Sequence, residues 1–316
     1  MHFVAPLILL LLTAASAQAS LSHFHVAQRQ GQHARLARRA RSVNGRCGAQ
    51  PKLQASNGDA TQNSHNTTAS VALPVAITDY QSASNSPGVI NVQSSCGPTG
   101  ATPYVTPTSG PNGDIDWLNC GINDGGWRPP DVKISDIITK ALTITNTDSD
   151  NAFQPCAPYV ELFEQHANET GIPSILLAAI AMQESECNAD TEGGAGEQGL
   201  MQLTQDKCGD APNGNCKDPR ISRYAKAYNI RTGAHYFSST LQNNGGNLLL
   251  TLGNYNGWPA GMTYGQATAA ANTDCCRCQN NLDYLQQMLN GWLQNKNPYS
   301  SNPRIGKYFN LDKCWS

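Results

Sequence analysis

The stretch from Ile172 to Thr204 reads IPSILLAAIAMQESECNADTEGGAGEQGLMQLT, and it decides the fold. Its first part has the periodicity of a helix with one carboxylate, because Leu176, Ile180 and Glu184 follow one another at intervals of four. A carboxyl group at the end of an apolar stripe is partly desolvated. Desolvation raises its pKa toward the pH at which a general acid works. On the helix alone, Glu184 serves equally well as a polar cap that points to water.

The N-terminal residues are typical of an exported protein. Residues 1–19 have the short apolar run and the Ala17-Gln18-Ala19 cleavage pattern of a secretory signal peptide. The run is too short to span a bilayer, and no later stretch stays apolar over about 18 residues. We therefore expect a secreted, extracellular protein that has no membrane partner once the signal is removed.

Two segments of low complexity follow the signal peptide. Residues 20–46 are basic, and the paired arginines Arg38-Arg39 indicate either a maturation cleavage site or an uncut basic tail. Residues 47–95 are rich in Ser, Asn, Ala, Gln and Thr, and they have too few apolar residues to fold alone. We predict that they form a linker.

The 11 cysteines of the chain predict a disulfide framework, since the chain is expected to be exported. An odd number leaves one cysteine over, and Cys47 is the candidate because it lies in the low-complexity region. A zinc site at Cys275-Cys276-Arg277-Cys278 is the weaker alternative, because His235 is the only histidine near these cysteines in the sequence. The sequons at Asn66 and Asn168 fit glycosylation if the host is a eukaryote.

Two folded parts are predicted after the linker. Residues 96–150 are rich in Gly, Pro and Cys and form a small subdomain, whose Trp117 and Trp127 either make its core or stack on sugar rings. Residues 151–316 form a mainly α catalytic domain with loops pinned by disulfides. Residues 134–145 fit a short helix or a strand equally well. Helical spacing in the second part predicts helices over 158–168, 174–186, 223–241, 248–255 and 282–293.

The charge of the chain argues against a nucleic-acid partner. Residues 153–316 contain 11 Lys and Arg against 14 Asp and Glu, a net charge of −3. The only strongly basic run lies in the segment 20–46 and has no interleaved aromatic residues. We expect a monomer that binds its partner by contacts in a groove.

Four motifs follow one another in a fixed order over about 75 residues. They are Gln183-Glu184-Ser185, Gly199-Leu200-Met201-Gln202, the segment 228–237 (YNIRTGAHYF) and the segment 253–257 (GNYNG). This order resembles the soluble-type (SLT) lytic transglycosylases, relatives of the goose-type lysozymes. The resemblance covers roughly half of the chain and implies an α-helical, lysozyme-like lobe with a glycan-binding groove.

The resemblance also implies roles for single residues. Glu184 matches the catalytic acid of the family, and Ser185 matches the neighbour that helps to orient it. Met201 and Gln202 match groove residues beside the scissile bond. Tyr255 matches a tyrosine that faces the catalytic carboxyl, and Asn256 follows it. The resemblance therefore predicts five substrate-binding residues: Ser185, Met201, Gln202, Tyr255 and Asn256. As structural alternatives, Met201 fills the core and Tyr255 is a packing tyrosine. Asn254 and the missing small residue between Asn256 and Gly257 depart from the family pattern.

One carboxylate can carry the chemistry if the substrate supplies the second group. Glycosidases usually need two, but Glu184 is the only acidic residue in the apolar stripe. Glu184 would protonate the glycosidic oxygen, and the 6-hydroxyl or the N-acetyl group of the sugar would close on the anomeric carbon. Goose-type relatives tend to have an aspartate where this chain has Thr204, which favours a transglycosylase with 1,6-anhydro products. Glu197 is a candidate second carboxylate, so hydrolysis stays open.

The sequence thus predicts an enzyme that cleaves the β-1,4 bond between N-acetylmuramic acid and N-acetylglucosamine in peptidoglycan. The alternatives are a hydrolase acting on chitin or another N-acetylglucosamine polymer, and a catalytically silent glycan-binding module. No cofactor or metal is expected.

Overall fold

The computed structural model describes residues 88–144, 151–193, 196–209, 211, 216 and 222–315. The predicted signal peptide, the basic segment, most of the linker, Cys47 and the Asn66 sequon lie outside these residues. The predicted domain boundaries therefore remain predictions.

Helices form the fold, which confirms the mainly α prediction. In the described part of the chain, strand-like pairing is limited to three isolated bridges. No helix there is both long enough and apolar enough to cross a bilayer. The α-helices are α1 (Ile115–Leu118), α2 (Val160–Thr170), α3 (Ser174–Ser185), α4 (Ser222–Asn243), α5 (Leu248–Tyr255), α6 (Tyr264–Ala267) and α7 (Tyr284–Gln286).

Helix α3 is the centre of the molecule. Every residue from Ile175 to Ser185 is buried, although the sequence predicted a single apolar stripe. The reason is its composition: before Glu184 the helix has no charged residue, so it has no face that water would solvate. Helix α2 packs against both α3 and α4, and α3 therefore presents Glu184 from inside the core.

Two left-handed residues and a disulfide follow the last residue of α3. The backbone N–H of Glu186 donates to Met182 O at 2.9 Å, and that of Cys187 donates to Ala181 O at 3.2 Å. Glu186 and Cys187 both have left-handed backbones, with φ of 53° and 54°. This conformation costs about 1 kcal/mol or more for a residue other than glycine. The disulfide Cys156–Cys187 joins this turn to the 3-10 helix Gln154–Tyr159 before α2, so the end that carries Glu184 is held in place.

Residues 88–144 share the hydrophobic core of the helices that follow them. The Trp127 ring meets Trp258 edge to face, with ring centroids 5.1 Å apart. It also lies on Gly253 of α5, where any Cβ would collide with it. Trp117 and Trp127 are 2% and 0% exposed. The interpretation of these two tryptophans as a sugar-stacking surface is therefore wrong.

All ten cysteines in the described residues are paired. The disulfides are Cys96–Cys120, Cys156–Cys187, Cys208–Cys216, Cys275–Cys278 and Cys276–Cys314. The framework is as predicted, and the zinc alternative is wrong because its three cysteines are oxidised. Cys47, which lies outside the described residues, is the cysteine left over from the 11 in the chain.

The predicted helices are found, with one change of form. The predictions 158–168 and 223–241 correspond to Val160–Thr170 and Ser222–Asn243. The predicted helix 282–293 instead consists of α7, a π-helical turn (Gln287–Gly291) and a 3-10 turn (Trp292–Gln294). The ambiguous stretch 134–145 has the 3-10 turn Ile134–Asp136 and no other helix or named strand up to residue 144.

The C-terminal segment is tied to the residue before α7. One carboxylate oxygen of Asp283, a residue that is 1% exposed, accepts the backbone N–H groups of Lys307 at 2.7 Å and Tyr308 at 2.9 Å. The other accepts that of Phe309 at 2.7 Å. Burial raises the pKa of Asp283 above its ordinary value, and the three N–H groups oppose that rise.

We expect Asp283→Asn to lower the free energy of unfolding by about 1–3 kcal/mol, because an amide NH2 would then face the N–H of Phe309 and leave it without an acceptor. Urea denaturation of the two proteins at neutral pH measures this difference. If the wild type and Asp283→Asn had equal unfolding midpoints and slopes, the hydrogen bonds of Asp283 would not stabilise the protein.

Candidate active site

Glu184 lies in the last turn of α3 and is 2% exposed. Burial of this degree disfavours the ionised form of a carboxyl group. The Tyr284 hydroxyl donates to Glu184 Oε1 at 3.4 Å. The predicted catalytic residue is therefore deeply placed and has a specific hydrogen-bond donor.

Tyr284, the first residue of α7, stays protonated in this site. Burial raises the pKa of its hydroxyl well above the ordinary value, and the nearby charge of Glu184 raises it further. The hydroxyl is consequently a donor over the whole range in which proteins are folded. It can stabilise negative charge on the Glu184 carboxylate but cannot act as a base.

The Gly-Leu-Met-Gln motif forms a tight hairpin beside the end of α3. Gln198 and Leu203 exchange two backbone hydrogen bonds of 2.8 and 3.0 Å across it. Gly199 has a φ of +74°, and an added Cβ would lie 2.5 Å from Asn229 Nδ2. Glycine is required here both by the backbone conformation and by the close approach of the side chain.

Asn229 of α4 holds the hairpin from one side. Its Oδ1 accepts the backbone N–H of Met201 at 2.8 Å, and its Nδ2 donates to Gln198 O at 2.8 Å. The side chain therefore joins Met201 in the turn to Gln198, the residue at which the hairpin begins. Asn229 is 2% exposed, so water cannot replace these two bonds.

Ser185 and Tyr255 hold the same hairpin from two other elements. The Ser185 hydroxyl lies 2.7 Å from Leu200 O and 2.9 Å from Ala181 O. The Tyr255 hydroxyl donates to Met201 O at 2.8 Å. The residues of all four sequence motifs therefore meet at one place, through side chains that bond to the hairpin backbone.

Met201 and Gln202 turn inward. The Met201 side chain is fully buried, and it packs on Gly233 of α4 so closely that a Cβ there would collide with it. The Gln202 amide donates to Gly199 O at 2.8 Å and to Thr191 O at 3.1 Å. The substrate contacts predicted for Ser185, Met201, Gln202 and Tyr255 remain predictions, whereas their structural contacts are defined.

Asn256 and Glu197 are placed apart from this hairpin contact. Asn256 is 0% exposed, and its Nδ2 donates to Asn281 O at 3.4 Å, which connects the end of α5 to the segment before Tyr284. The Glu197 side chain is also 0% exposed and lies against Gly193 in the loop before the hairpin. Both predicted roles, substrate contact and second carboxylate, remain untested by this arrangement.

Sequence reasoning missed Tyr284 and assigned no role to Asn229. Tyr284 falls in a run of apolar residues at helical spacing, where a tyrosine resembles any other core aromatic residue. The segment 228–237 contained Asn229, but only packing shows that its side chain reaches the hairpin. Among the described residues, no group of three or more His, Cys, Asp or Glu is arranged to hold a metal ion.

A comparison with known protein families finds one match that includes this site. Residues 161–271 match the family model of the transglycosylase SLT domain. Over this segment the chain is similar to that family. The match includes Glu184, the hairpin, Asn229 and Tyr255, and it supports peptidoglycan lytic transglycosylase-type activity in general. It ends before Tyr284, so the partner of the carboxyl comes from outside the SLT match.

Proposed function

We propose that the protein is a secreted lytic transglycosylase that cleaves the β-1,4 bond between N-acetylmuramic acid and N-acetylglucosamine in peptidoglycan. The observation that carries the proposal is Glu184, a carboxyl group buried at the end of an uncharged helix, beside the hairpin of an SLT domain and with a tyrosine donor. The five disulfides support export to an oxidising compartment.

The reaction needs only one protein carboxyl group. Protonated Glu184 gives its proton to the glycosidic oxygen, and the bond from that oxygen to the anomeric carbon breaks. The 6-hydroxyl of the same muramic acid then attacks the anomeric carbon, and its proton passes to the Glu184 carboxylate. The acid is regenerated, the sugar ends as a 1,6-anhydro ring, and no water is consumed.

Tyr284 acts on the intermediate stage of this cycle. Once Glu184 has given up its proton, the carboxylate is negative in a buried place, where an uncompensated charge is costly. The Tyr284 hydroxyl offsets part of this cost because hydrogen bonds to charged groups are stronger than neutral ones.

We expect Tyr284→Phe to lower kcat by about 10- to 100-fold, since a hydrogen bond to a charged group contributes about 1.5–3 kcal/mol. Loss of the donor destabilises the Glu184 carboxylate, so the group stays protonated to a higher pH. The alkaline limb of the kcat–pH profile should therefore move to higher pH. If the alkaline limb of the Tyr284→Phe profile did not move, Tyr284 would not act on the protonation of Glu184.

The absence of an obvious partner carboxylate in the sequence favours transglycosylation over hydrolysis. Thr204 stands where goose-type relatives tend to have an aspartate, and Glu186 lies beyond the end of α3 as its C-cap. Glu197 is the residue on which a hydrolytic alternative would depend. A buried carboxylate in this loop is able to hold a water molecule. The test below therefore also includes hydrolysis as the second candidate function.

Digestion of purified peptidoglycan and of chitin in heavy-oxygen water, followed by mass spectrometry, tests the proposal. Transglycosylation yields muropeptide products that are lighter by one water than hydrolytic ones and carry no heavy oxygen. Labelled products of full mass from peptidoglycan would establish a lysozyme-like hydrolase instead, and products from chitin alone would establish the other substrate. A folded protein that releases nothing from either polymer would be a glycan-binding module, and both enzymatic functions would be wrong.

A further inference from the structure

The helix that begins at Tyr284 changes its winding directly after that residue. Gln287–Gly291 form a π-helical turn, in which the backbone N–H of Trp292 reaches back five residues to Gln287 O. Turns of this kind contain one extra residue and occur often at functional sites. The turn lies outside the segment matched by the SLT family, residues 161–271.

The extra residue changes which side chains face α3. Residues that are three apart, such as Tyr284 and Gln287, share a helix face. Gln287 and Trp292 would lie about 140° apart around a regular α-helix, whereas a turn closed over five residues brings them close to one face. Tyr284, Gln287 and Trp292 thereby all reach α3.

Gln183, the residue before Glu184, contacts the side chains of Gln287 and Trp292. Its Oε1 accepts the indole N–H of Trp292 at 2.6 Å. Its Nε2 lies 3.3 Å from Gln287 Oε1 and 2.7 Å from the Tyr299 hydroxyl. Gln183 is 0% exposed, so these amide groups have no water to replace a lost partner.

The pairs formed by α3 and the helix of Tyr284 are adjacent. Glu184 meets Tyr284, and one residue earlier Gln183 meets Gln287. The first contact is 3.4 Å long, which is longer than the usual 2.5–3.0 Å for two oxygens. The second belongs to a buried network that also includes Asn281, whose Nδ2 donates to Gln287 Oε1 at 2.9 Å.

We propose that Gln183 is a positioning residue, which acts with the π turn to set the Tyr284 hydroxyl against the Glu184 carboxyl. The proposal rests on the proposed function, in which Glu184 is the acid. The Gln183 network fixes the register of the two helices, so that the long Tyr284–Glu184 contact can shorten when negative charge develops on Glu184. A relaxed register leaves the carboxyl in place but removes its donor from reach.

The test uses Gln183→Leu and Tyr299→Phe, with Tyr284→Phe as the reference. Tyr299→Phe removes a single hydroxyl from the network and keeps the ring, so it tests the same link if Gln183→Leu does not fold. Gln294→Leu is the matched control, because Gln294 is also buried, at 4% exposure, but its side chain donates to Ile138 O at 2.6 Å, in the segment 88–144.

We expect Gln183→Leu to lower kcat on peptidoglycan by about 10-fold or more, with KM unchanged and the alkaline limb displaced in the direction expected for Tyr284→Phe. Tyr299→Phe should shift kcat and the limb the same way by a smaller factor. Combined with Tyr284→Phe, Gln183→Leu should cause no further loss, because both act through one contact.

Two results would overturn the inference while leaving the proposed function intact. In the first, the wild type turns over peptidoglycan, and the kcat of Gln183→Leu is no lower than that of Gln294→Leu. In the second, the double variant Gln183→Leu/Tyr284→Phe loses kcat by the product of the two single fold-losses, and Gln183→Leu leaves the alkaline limb of the kcat–pH profile unmoved. A wild type without any product would instead contradict the proposed function itself.

Discussion

Glu184→Gln is expected to lower kcat on peptidoglycan by about 10²–10⁴-fold, the usual contribution of a general acid. The amide has the shape of the carboxyl group and can still accept from the Tyr284 hydroxyl, but it has no acidic proton to give to the glycosidic oxygen. The variant should fold as well as the wild type, since the neutral amide keeps the shape and the polarity of the protonated carboxyl group. Thermal unfolding and product release measured on the same preparation report both effects.

Glu186→Gln is the matched control for this variant. It removes a carboxylate only two residues away, at the C-cap of α3, and we expect unchanged turnover. Glu197→Gln completes the set: a small effect agrees with a single acid, whereas a loss as large as that of Glu184→Gln would require a second carboxylate. Undiminished turnover of a folded Glu184→Gln protein would remove Glu184 as the acid.

Asn229→Leu is expected to have the largest effect on the hairpin. It leaves the Met201 N–H buried without an acceptor and removes the Asn229 donor from Gln198 O, which keeps the Leu203 N–H. A buried N–H without an acceptor costs about 1–3 kcal/mol and the second bond contributes about 0.5–1.5 kcal/mol, so we expect a loss in the free energy of unfolding on the order of 3 kcal/mol. Because the hairpin also binds Ser185 and Tyr255, kcat of the remaining folded protein should fall as well.

Asn229→Asp tests the donor to Gln198 O. The aspartate keeps an oxygen for the Met201 N–H, but its ionised form would place a buried negative oxygen against Gln198 O, so at neutral pH we expect a loss at least as large as for Asn229→Leu. The loss should become smaller at low pH, where the protonated carboxyl can donate to Gln198 O. Urea denaturation curves for the three proteins at neutral and at low pH measure the differences. Equal stability of the wild type and Asn229→Leu would mean that these two hydrogen bonds do not hold the hairpin in solution.

The helices were predictable where their pattern is local. The stretch 174–186 is nearly uncharged and is followed by a polar, glycine-rich loop, so its helix and its end could be placed within one residue. The change of winding after Gln286 could not be predicted. Leucines at positions 282, 285, 289 and 293 satisfy helical spacing, and one extra residue in a turn leaves that pattern almost unaltered.

The candidate site divides in a similar way. Its sequence motifs indicated which residues meet. Ser185 and Tyr255 were predicted to bind substrate and Asn229 was given no role, and the structure shows that all three bond to the hairpin backbone. A motif records which residue types are needed in order along the chain. It does not show whether a side chain points to a ligand or to a neighbouring carbonyl.

By itself, the sequence determined a helix that ends in a single carboxylate, and a glycine that permits the turn beside it, because both depend on residues close together in the chain. Tertiary structure alone decided the partner of that carboxylate. Tyr284 lies 100 residues from Glu184, and it reaches Oε1 because the π turn and the 3-10 turn that follow α7 pack against α3. Such a contact depends on the relative rotation of two helices, which no local pattern of residues contains.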